Sequence, residues 1–306
     1  MTNKRRFKYS FKKNIHLTTL ALPAIALILL FEYTPMAGMV LAFKDFNVRD
    51  GVFGSPWNGI KNFEFFFKND AYTVTRNTVL YNLAFIAVGL VLSLLFAMFL
   101  NELKSRGATK FYQTVFFFPY FLSWVVVTYM VFAFLGTNGI LTSVLPTISG
   151  LDLKEFYVTP GLWPPFLIFL NTWKNLGYLS VLYYAGIMGI PSDYYEAAEI
   201  DGASRVQRAK YITLPLLLPL ICILSLLQIG QIFRADFGLF FFVPREIGTL
   251  AAVTRVIDVH VYRMLRFSND IGMAAAVGFY QSVLCLIFVL VANRVVKRLN
   301  PEYAAF

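Results

Sequence analysis

Six apolar stretches, at residues 17–43, 79–100, 115–135, 162–187, 214–233 and 274–296, leave this chain little choice of fold. About 20 apolar residues in a helix cross a hydrocarbon core of about 30 Å. In lipid every backbone N–H and C=O must be satisfied within the protein, so runs of this length are expected as helices, and strands are not expected. The fold class that follows is an all-α integral membrane protein with six transmembrane helices. One membrane domain covers 17–306, preceded by a basic segment over 1–16. Composition agrees: 58% of residues are hydrophobic and 14% charged, where soluble domains carry about 25% charged residues. Prolines at 23, 35, 119 and 219 fall inside or at the edges of these runs. Neighbouring helices can satisfy the carbonyls they free, so they predict kinks more than breaks.

Lys4, Arg5, Arg6, Lys8, Lys12 and Lys13 precede the first stretch, an arrangement a signal peptide would share. No small-residue cleavage site follows, only Phe31-Glu-Tyr-Thr-Pro35, so the helix is read as retained. With the N-terminus inside, the inner segments hold fifteen Lys and Arg and the outer ones ten, which gives an N-in, C-in topology. The same bias, with anionic lipid as counterpart, accounts for the net charge of +10 without a nucleic-acid partner. Cys222 and Cys285 lie in apolar runs and build neither a disulfide framework nor a metal cluster. His16 and His260 are isolated and have no metal-ligand spacing, so no metal site is expected.

One polar segment sits between the fourth and fifth stretches, and the topology places it on the inner side. Pro191-Ser-Asp193 is a helix-start signal in which Ser192 or Asp193 can cap, and Asp193 with Glu196 has capping-box spacing. A short helix over about 194–200 should follow. Asp201-Gly202 would stop it, and a basic helical segment from Ser204 would lead to Leu214-Pro215, where proline is tolerated in a first turn. Small Ala197 and Ala198 beside Glu196 leave a low ridge able to seat in a groove of another protein.

The pattern Glu196-Ala197-Ala198, three residues, Gly202, nine residues, Ile212, one residue, Leu214-Pro215 resembles the signature loop of ABC importer permeases. Tyr33-Thr-Pro-Met-Ala-Gly38, Ala42-Phe-Lys-Asp45, Gly54-Ser-Pro-Trp-Asn-Gly59 and Asn62-Phe63 resemble the maltose-transporter type, in its polysaccharide and complex-oligosaccharide branch. Val259-His-Val-Tyr-Arg263 fits that branch too. The resemblance implies an importer half. A second homologous permease, two cytoplasmic ATPase subunits and an extracellular or periplasmic sugar-binding protein would complete the machine in a prokaryotic cell membrane. It gives Glu196, Ala197, Ala198, Asp201, Gly202, Ile212, Leu214 and Pro215 the ATPase-coupling role. The chain itself has no Gly-x4-Gly-Lys-Ser/Thr phosphate loop, so it should bind no cofactor, with ATP and Mg on the partner ATPases.

Polar groups at membrane depth are costly and usually face a bundle interior or cavity. Asn171, Asn175 and Tyr178 fall at i, i+4 and i+7 on one helical face, with Trp173 and Lys174 adjacent. Gln228 and Gln231 offer two more amides on the fifth stretch, with Arg234 and Asp236 beyond them. Amides bond hydroxyls in both directions and aromatic rings cover the apolar face of a pyranose, so Asn171, Trp173, Asn175, Tyr178, Gln228 and Gln231 are the candidate substrate-pathway residues. Interhelical polar glue is the competing account of the same amides. Arg234 reads most simply as an interfacial arginine snorkelling outward, and Lys174 needs a carbonyl, an acid or water. The competing functions are an ABC permease for a peptide or other non-sugar solute, a membrane-embedded enzyme, and a channel. The scattered acids and histidines lack the clustering an enzyme needs.

Overall fold

The computed structural model describes residues 15–149 and 155–299. The basic residues at 4–13 and Lys154 lie outside these. The described residues are mainly helical, with no strand and one isolated backbone bridge, Lys44 to Trp57, among them. It divides into two compact units.

One unit holds the described residues up to Phe66 with Met264–Phe279. Helix α1 (Ile15–Ile28) runs on through a π turn (Leu29–Tyr33), a helical turn at Thr34–Met36 and a 3-10 helix (Ala37–Phe43). Pro35 brings no N–H and its ring crowds the preceding turn, which widens to accommodate it. After the rod, Asn62 donates to the carbonyls of Ala42 (3.1 Å) and Lys44 (3.0 Å), and the Lys44 ammonium donates to the Phe53 carbonyl at 2.6 Å. Phe43, Phe63 and Phe279 meet with ring centroids 5.3 to 6.1 Å apart. The residues of the first-stretch motif are thus the ones that fasten the end of this rod. Asn62 opens α2 (Lys61–Asn69).

The other unit holds the described residues of Phe67–Arg263 and those from Tyr280 onward. Its helices are α3 (Ala71–Glu102), α4 (Arg106–Phe117), α5 (Trp124–Leu135), α6 (Ile140–Ser149), α7 (Trp163–Met188), α8 (Asp193–Ile200), α9 (Leu214–Ile229), α10 (Phe237–Phe242), α11 (Ile257–Arg266) and α12 (Ile271–Leu299). The last two share residues with the first unit. The most extensive pairing is α3 on α7. Its cause is visible in α3, where buried Gly89, Ser93 and Ala97 recur every four residues and form a stripe without bulk. Lipid tails are as apolar as leucine, so association of membrane helices relies on close backbone approach of this kind and on interhelical hydrogen bonds. Towards the other end of α7, Trp163, Leu167 and Leu170 pack with Tyr81, Val127, Leu239, Phe240 and Val259 into the largest buried cluster.

Among the described residues five helical segments are long and apolar enough to cross a membrane: Thr19–Phe43, Ala71–Glu102, Trp124–Val144, Arg205–Ile229 and Ile271–Arg298. The expected fourth stretch, 162–187, forms the 26-residue α7 but is not among them, because Asn171, Lys174 and Asn175 dilute its middle. The expected third stretch, 115–135, is not one helix. At Pro119 the chain tightens to a 3-10 turn (Phe118–Phe121), goes extended at Leu122 and Ser123, and restarts as α5 with Ser123 capping the Val126 N–H at 3.3 Å. Pro119 therefore marks a break and not a kink. The fifth stretch, 214–233, stops as a helix at Ile229, after which Gly230 to Asp236 is non-helical.

Candidate functional site

Two irregular segments beside the long apolar helices have backbone groups satisfied by side chains. The first is the break at Pro119. The Lys174 ammonium, on a residue only 9% exposed, donates to the carbonyls of Pro119 (3.4 Å), Tyr120 (2.9 Å) and Leu122, and lies over the rings of Tyr120 and Trp124. Carbonyls, not an acid or lipid headgroup, are what this buried lysine meets. One turn on, a Cβ at Gly177 would run into the carbonyl of Phe116 and the backbone of Phe117, so only glycine lets α7 lie this close to the end of α4. The second segment follows α9. Asn82 of α3 donates to the carbonyls of Ile232 (2.9 Å) and Arg234 (3.1 Å), and Gln281 of α12 donates to that of Phe233 (2.7 Å). Asp258 of α11 accepts from the Ala235 N–H at 2.7 Å and from Gln281 at 3.1 Å. Asp236 is engaged in capping: it accepts the N–H groups of Gly238 and Leu239 and, at 2.6 Å, the indole N–H of Trp124.

Between these two segments lies a cavity of about 490 Å³. Asn171, Asn175, Tyr178, Gln228 and Gln231 all line it, so the polar face of α7 and the amides of α9 meet across one space. Trp173 does not line it; its ring packs against the large buried cluster. Asn175 donates to the Asn171 carbonyl at 2.9 Å. Tyr178 stacks on Tyr120 with centroids 4.8 Å apart and planes 10° from parallel, an offset platform at one wall. Sequence reasoning missed Asn82, Tyr120 and Thr172, which also line the cavity. The Thr172 hydroxyl is buried without a hydrogen-bond partner among the described residues. Asn82 carried a usable signal, being an amide near the start of an apolar run. Tyr120 did not, because its position depends on the break that the run concealed.

The signature segment forms a second assembly. Helix α8 spans Asp193–Ile200, and Gly202 follows with φ +75, a left-handed conformation that glycine adopts without penalty. The Gly202 N–H reaches the Glu199 carbonyl (3.1 Å) and the Ala203 N–H the Ala198 carbonyl (2.9 Å), the paired bonds of a Schellman ending. Contrary to the expected capping at Ser192 or Asp193, Ser192 has helical backbone angles and makes no capping bond. A capping side chain needs an extended N-cap residue. Ser204 provides one, and the capping box sits there, with Ser204 N–H donating to Gln207 Oε1 (2.7 Å) and Gln207 N–H to Ser204 Oγ (3.3 Å). A turn of helix (Arg205–Arg208) and a π turn (Ala209–Thr213) then enter α9, with Pro215 in its first turn. Tyr195 of α8 and Thr213 share a hydrogen bond of 2.9 Å, which ties the short helix to the base of the long one. Glu196 and Ala197 are exposed, and Ile200 (88%) and Val206 (77%) leave apolar side chains almost bare on the same loop.

Residues 89–301 match the family described as binding-protein-dependent transport system inner membrane component. The chain is 31% identical over 288 residues to the polygalacturonan/rhamnogalacturonan transport system permease protein YteP of Bacillus subtilis (strain 168), covering 94% of this chain and 89% of that protein. Among solved structures it is similar to a chain of a bacterial ABC transporter involved in the import of the acidic polysaccharide alginate. The TM-score is 0.86 at 30% identity, covering 96% of this chain and 99% of that one. The alginate transporter in complex with its alginate pentasaccharide-bound periplasmic protein gives a TM-score of 0.85 at 30% identity, over 96% and 98% of the two chains. A family model spanning most of the chain, a full-length relative and a shared fold agree: the chain belongs to the binding-protein-dependent transport system inner membrane components, the permease subunits of ABC importers.

Proposed function

We propose that this permease passes an oligosaccharide through the cavity between α3, α7 and α9. The observation that carries this reading is the lining itself. Asn82, Asn171, Asn175, Gln228 and Gln231 offer donors and acceptors in the two-way pattern hydroxyls require, and the stacked Tyr120 and Tyr178 offer a flat apolar wall for a pyranose face. A peptide cargo is less well served, since among the described residues this lining carries no carboxylate for an amino terminus. Relatives named for polygalacturonan and alginate transport support the same class of cargo.

In this reading α7 completes a set of six membrane helices in one membrane domain, with both termini inside as the basic-residue count favours. The inner loop then presents Glu196, Ala197, Ala198, Asp201 and Gly202 to an ATPase subunit, while Ile212, Leu214 and Pro215 lead the motion into α9. The nearly bare Ile200 and Val206 supply apolar surface for that contact. ATP and Mg are held by two such ATPases, a second permease closes the cavity, and a sugar-binding protein docks outside, all in a prokaryotic cell membrane. Binding of ATP and of the loaded external protein favours the outward-open state, and hydrolysis returns the pair to inward-open, because only differential affinity for two states moves such an equilibrium.

Reconstitution with these partners in proteoliposomes tests the reading. Asn171→Leu with Gln228→Leu should lower oligosaccharide uptake about 10-fold or more, since each lost hydrogen bond strands a hydroxyl at about 1–3 kcal/mol. Unchanged sugar uptake in the double variant, or uptake of peptides instead, would refute it.

A further inference from the structure

Among the described residues two π turns occur, Leu29–Tyr33 and Ala209–Thr213, and each ends two residues before a proline, Pro35 or Pro215. Proline offers no N–H to the carbonyl four residues back, here that of Tyr211, so the helix slackens where the signature loop enters α9. A joint of this kind would loosen the loop from the span unless something bridged it. The bridge is the 2.9 Å hydrogen bond between the Tyr195 hydroxyl of α8 and the Thr213 hydroxyl at the end of the π turn. Thr213 is only 4% exposed, so water competes poorly for this bond. The ion pairs of the same loop, Arg205 with Glu102 and Arg208 with Glu199, each leave at least one partner well exposed and are worth little. Thr213 also opens a stripe on α9. Leu217, Leu220, Leu224 and Gln228 follow it at steps of four, three, four and four residues, which keeps all of them on one face. Leu217 is buried with Leu94 and Ala97 of α3 and with Tyr183 and Ile187 of α7. A Cβ at Gly186 of α7 would meet the Leu217 and Leu220 side chains at 2.9 and 2.6 Å, so α7 lies tight against this stripe. Its far end is Gln228, on the cavity.

We propose that Tyr195 is a positioning residue of this permease: its hydroxyl carries movement of α8 across the π turn to Thr213, and the stripe beyond Thr213 carries it to the cavity. The inference rests on the coupling role given to the signature loop and names the bond through which that role is exercised. Without the bond an ATPase subunit can still displace α8, but the slack at Ala209–Thr213 absorbs the displacement before it reaches Leu217. With the bond, α9 turns with α8. Helix α7, which brings Asn171, Asn175 and Tyr178 to the cavity, then follows, because Gly186 leaves no space against Leu217 and Leu220. Coupling of this kind is reciprocal, so cargo at the cavity and ATP at the ATPase bias the same joint.

The test uses the complete transporter with its binding protein in nanodiscs, in a Cys222→Ser, Cys285→Ser, Gln228→Cys background. It reads the rate at which a maleimide labels this chain at position 228, before and after ATP and vanadate are added. In this background the rate should change on adding ATP. Tyr195→Phe and Thr213→Val should each weaken that change about 2- to 10-fold, the worth of one shielded hydrogen bond, and the double variant should lose no more than either alone. Thr213→Ser, which keeps the hydroxyl, should retain the change. Tyr195→Phe and Thr213→Val remove one hydroxyl each at nearly constant volume, so a role in packing alone would leave the change intact. A full change in Tyr195→Phe, or losses that multiply in the double variant, overturns the proposal. Gly202→Pro separates the two readings. If it preserves the change, or if neither this background nor one labelled through Asn175→Cys shows any, the coupling reading fails and takes this one with it. A change lost in Gly202→Pro and kept in Tyr195→Phe overturns the Tyr195 bond alone.

Discussion

Replacing Lys174 with Met separates packing from charge at the break in the third apolar stretch. The methionine keeps most of the length of the buried stem and removes the ammonium that holds the carbonyls of Pro119, Tyr120 and Leu122. Two effects oppose each other. Removing the ammonium recovers a desolvation penalty of several kcal/mol. Against this, carbonyls that cannot rejoin a helix lose their donor, at about 1–3 kcal/mol each. The contact at 3.4 Å to Pro119 is weak, and Tyr120 borders the cavity, from which water can reach it. With the native penalty already offset by the carbonyls and two aromatic faces, the balance favours a net loss of about 2–3 kcal/mol. At about 2–4 °C per kcal/mol this lowers Tm by roughly 5–10 °C, readable by differential scanning fluorimetry of the purified transporter in nanodiscs. Hydrogen exchange over residues 120–126 should accelerate in the same variant, which locates the loss at the break. A Tm within about 1 °C of wild type, with unchanged exchange there, would refute the argument that Lys174 holds the break together.

Other substitutions probe the remaining features. Gly177→Ala sets a methyl against the backbone of Phe116 and Phe117, where no flexible side chain can yield, and should cost about 1–3 kcal/mol by thermal unfolding. Because Lys174 and Gly177 serve one contact, the double variant should lose less than the sum. Gly202→Pro removes the N–H that bonds Glu199 and forbids the left-handed φ, so membrane insertion should persist while cargo-stimulated ATP hydrolysis collapses; stimulated hydrolysis at the wild-type rate would count against a coupling role. Burial holds the His260 imidazole below its ordinary value of 6.5. The unfolded chain therefore takes up the proton first, and stability is lost as pH falls from about 6.5 towards the folded value. His260→Gln should flatten that decline in Tm, and an unaltered pH profile would exclude His260 as its source.

Length and apolarity located the helices because a bilayer imposes both, and the signature loop was legible because glycine, proline and capping residues act locally. Helix α8 and the left-handed Gly202 were accordingly readable, although the capping box moved to Ser204, where the backbone is extended. Breaks were illegible for the converse reason. Phe116 to Tyr120 reads as one apolar run with a proline in it, and only Lys174, more than 50 residues later, shows that the freed carbonyls have a distant partner. The helix periodicity of Asn171, Asn175 and Tyr178 predicted a shared face, and that face lines the cavity. Trp173 belongs to the opposite side by the same periodicity, which adjacency in sequence had obscured. Tyr120 and Asn82 reach the cavity through tertiary packing, about which a hydropathy reading is silent.

The side chains that close the non-helical link after α9 also set a timetable for synthesis. Asn82 is made before the link, but Asp258 and Gln281 are made after it, and Gln281 belongs to the final helix. A nascent chain that has inserted α9 but not yet α12 therefore holds the Phe233 carbonyl open, while the Ala235 N–H waits only for Asp258 of α11. It can complete the Phe233 bond only when the ribosome has delivered α12. A later span is thus the one that licenses an earlier span to settle, and chains stalled before it should be the ones membrane proteases remove.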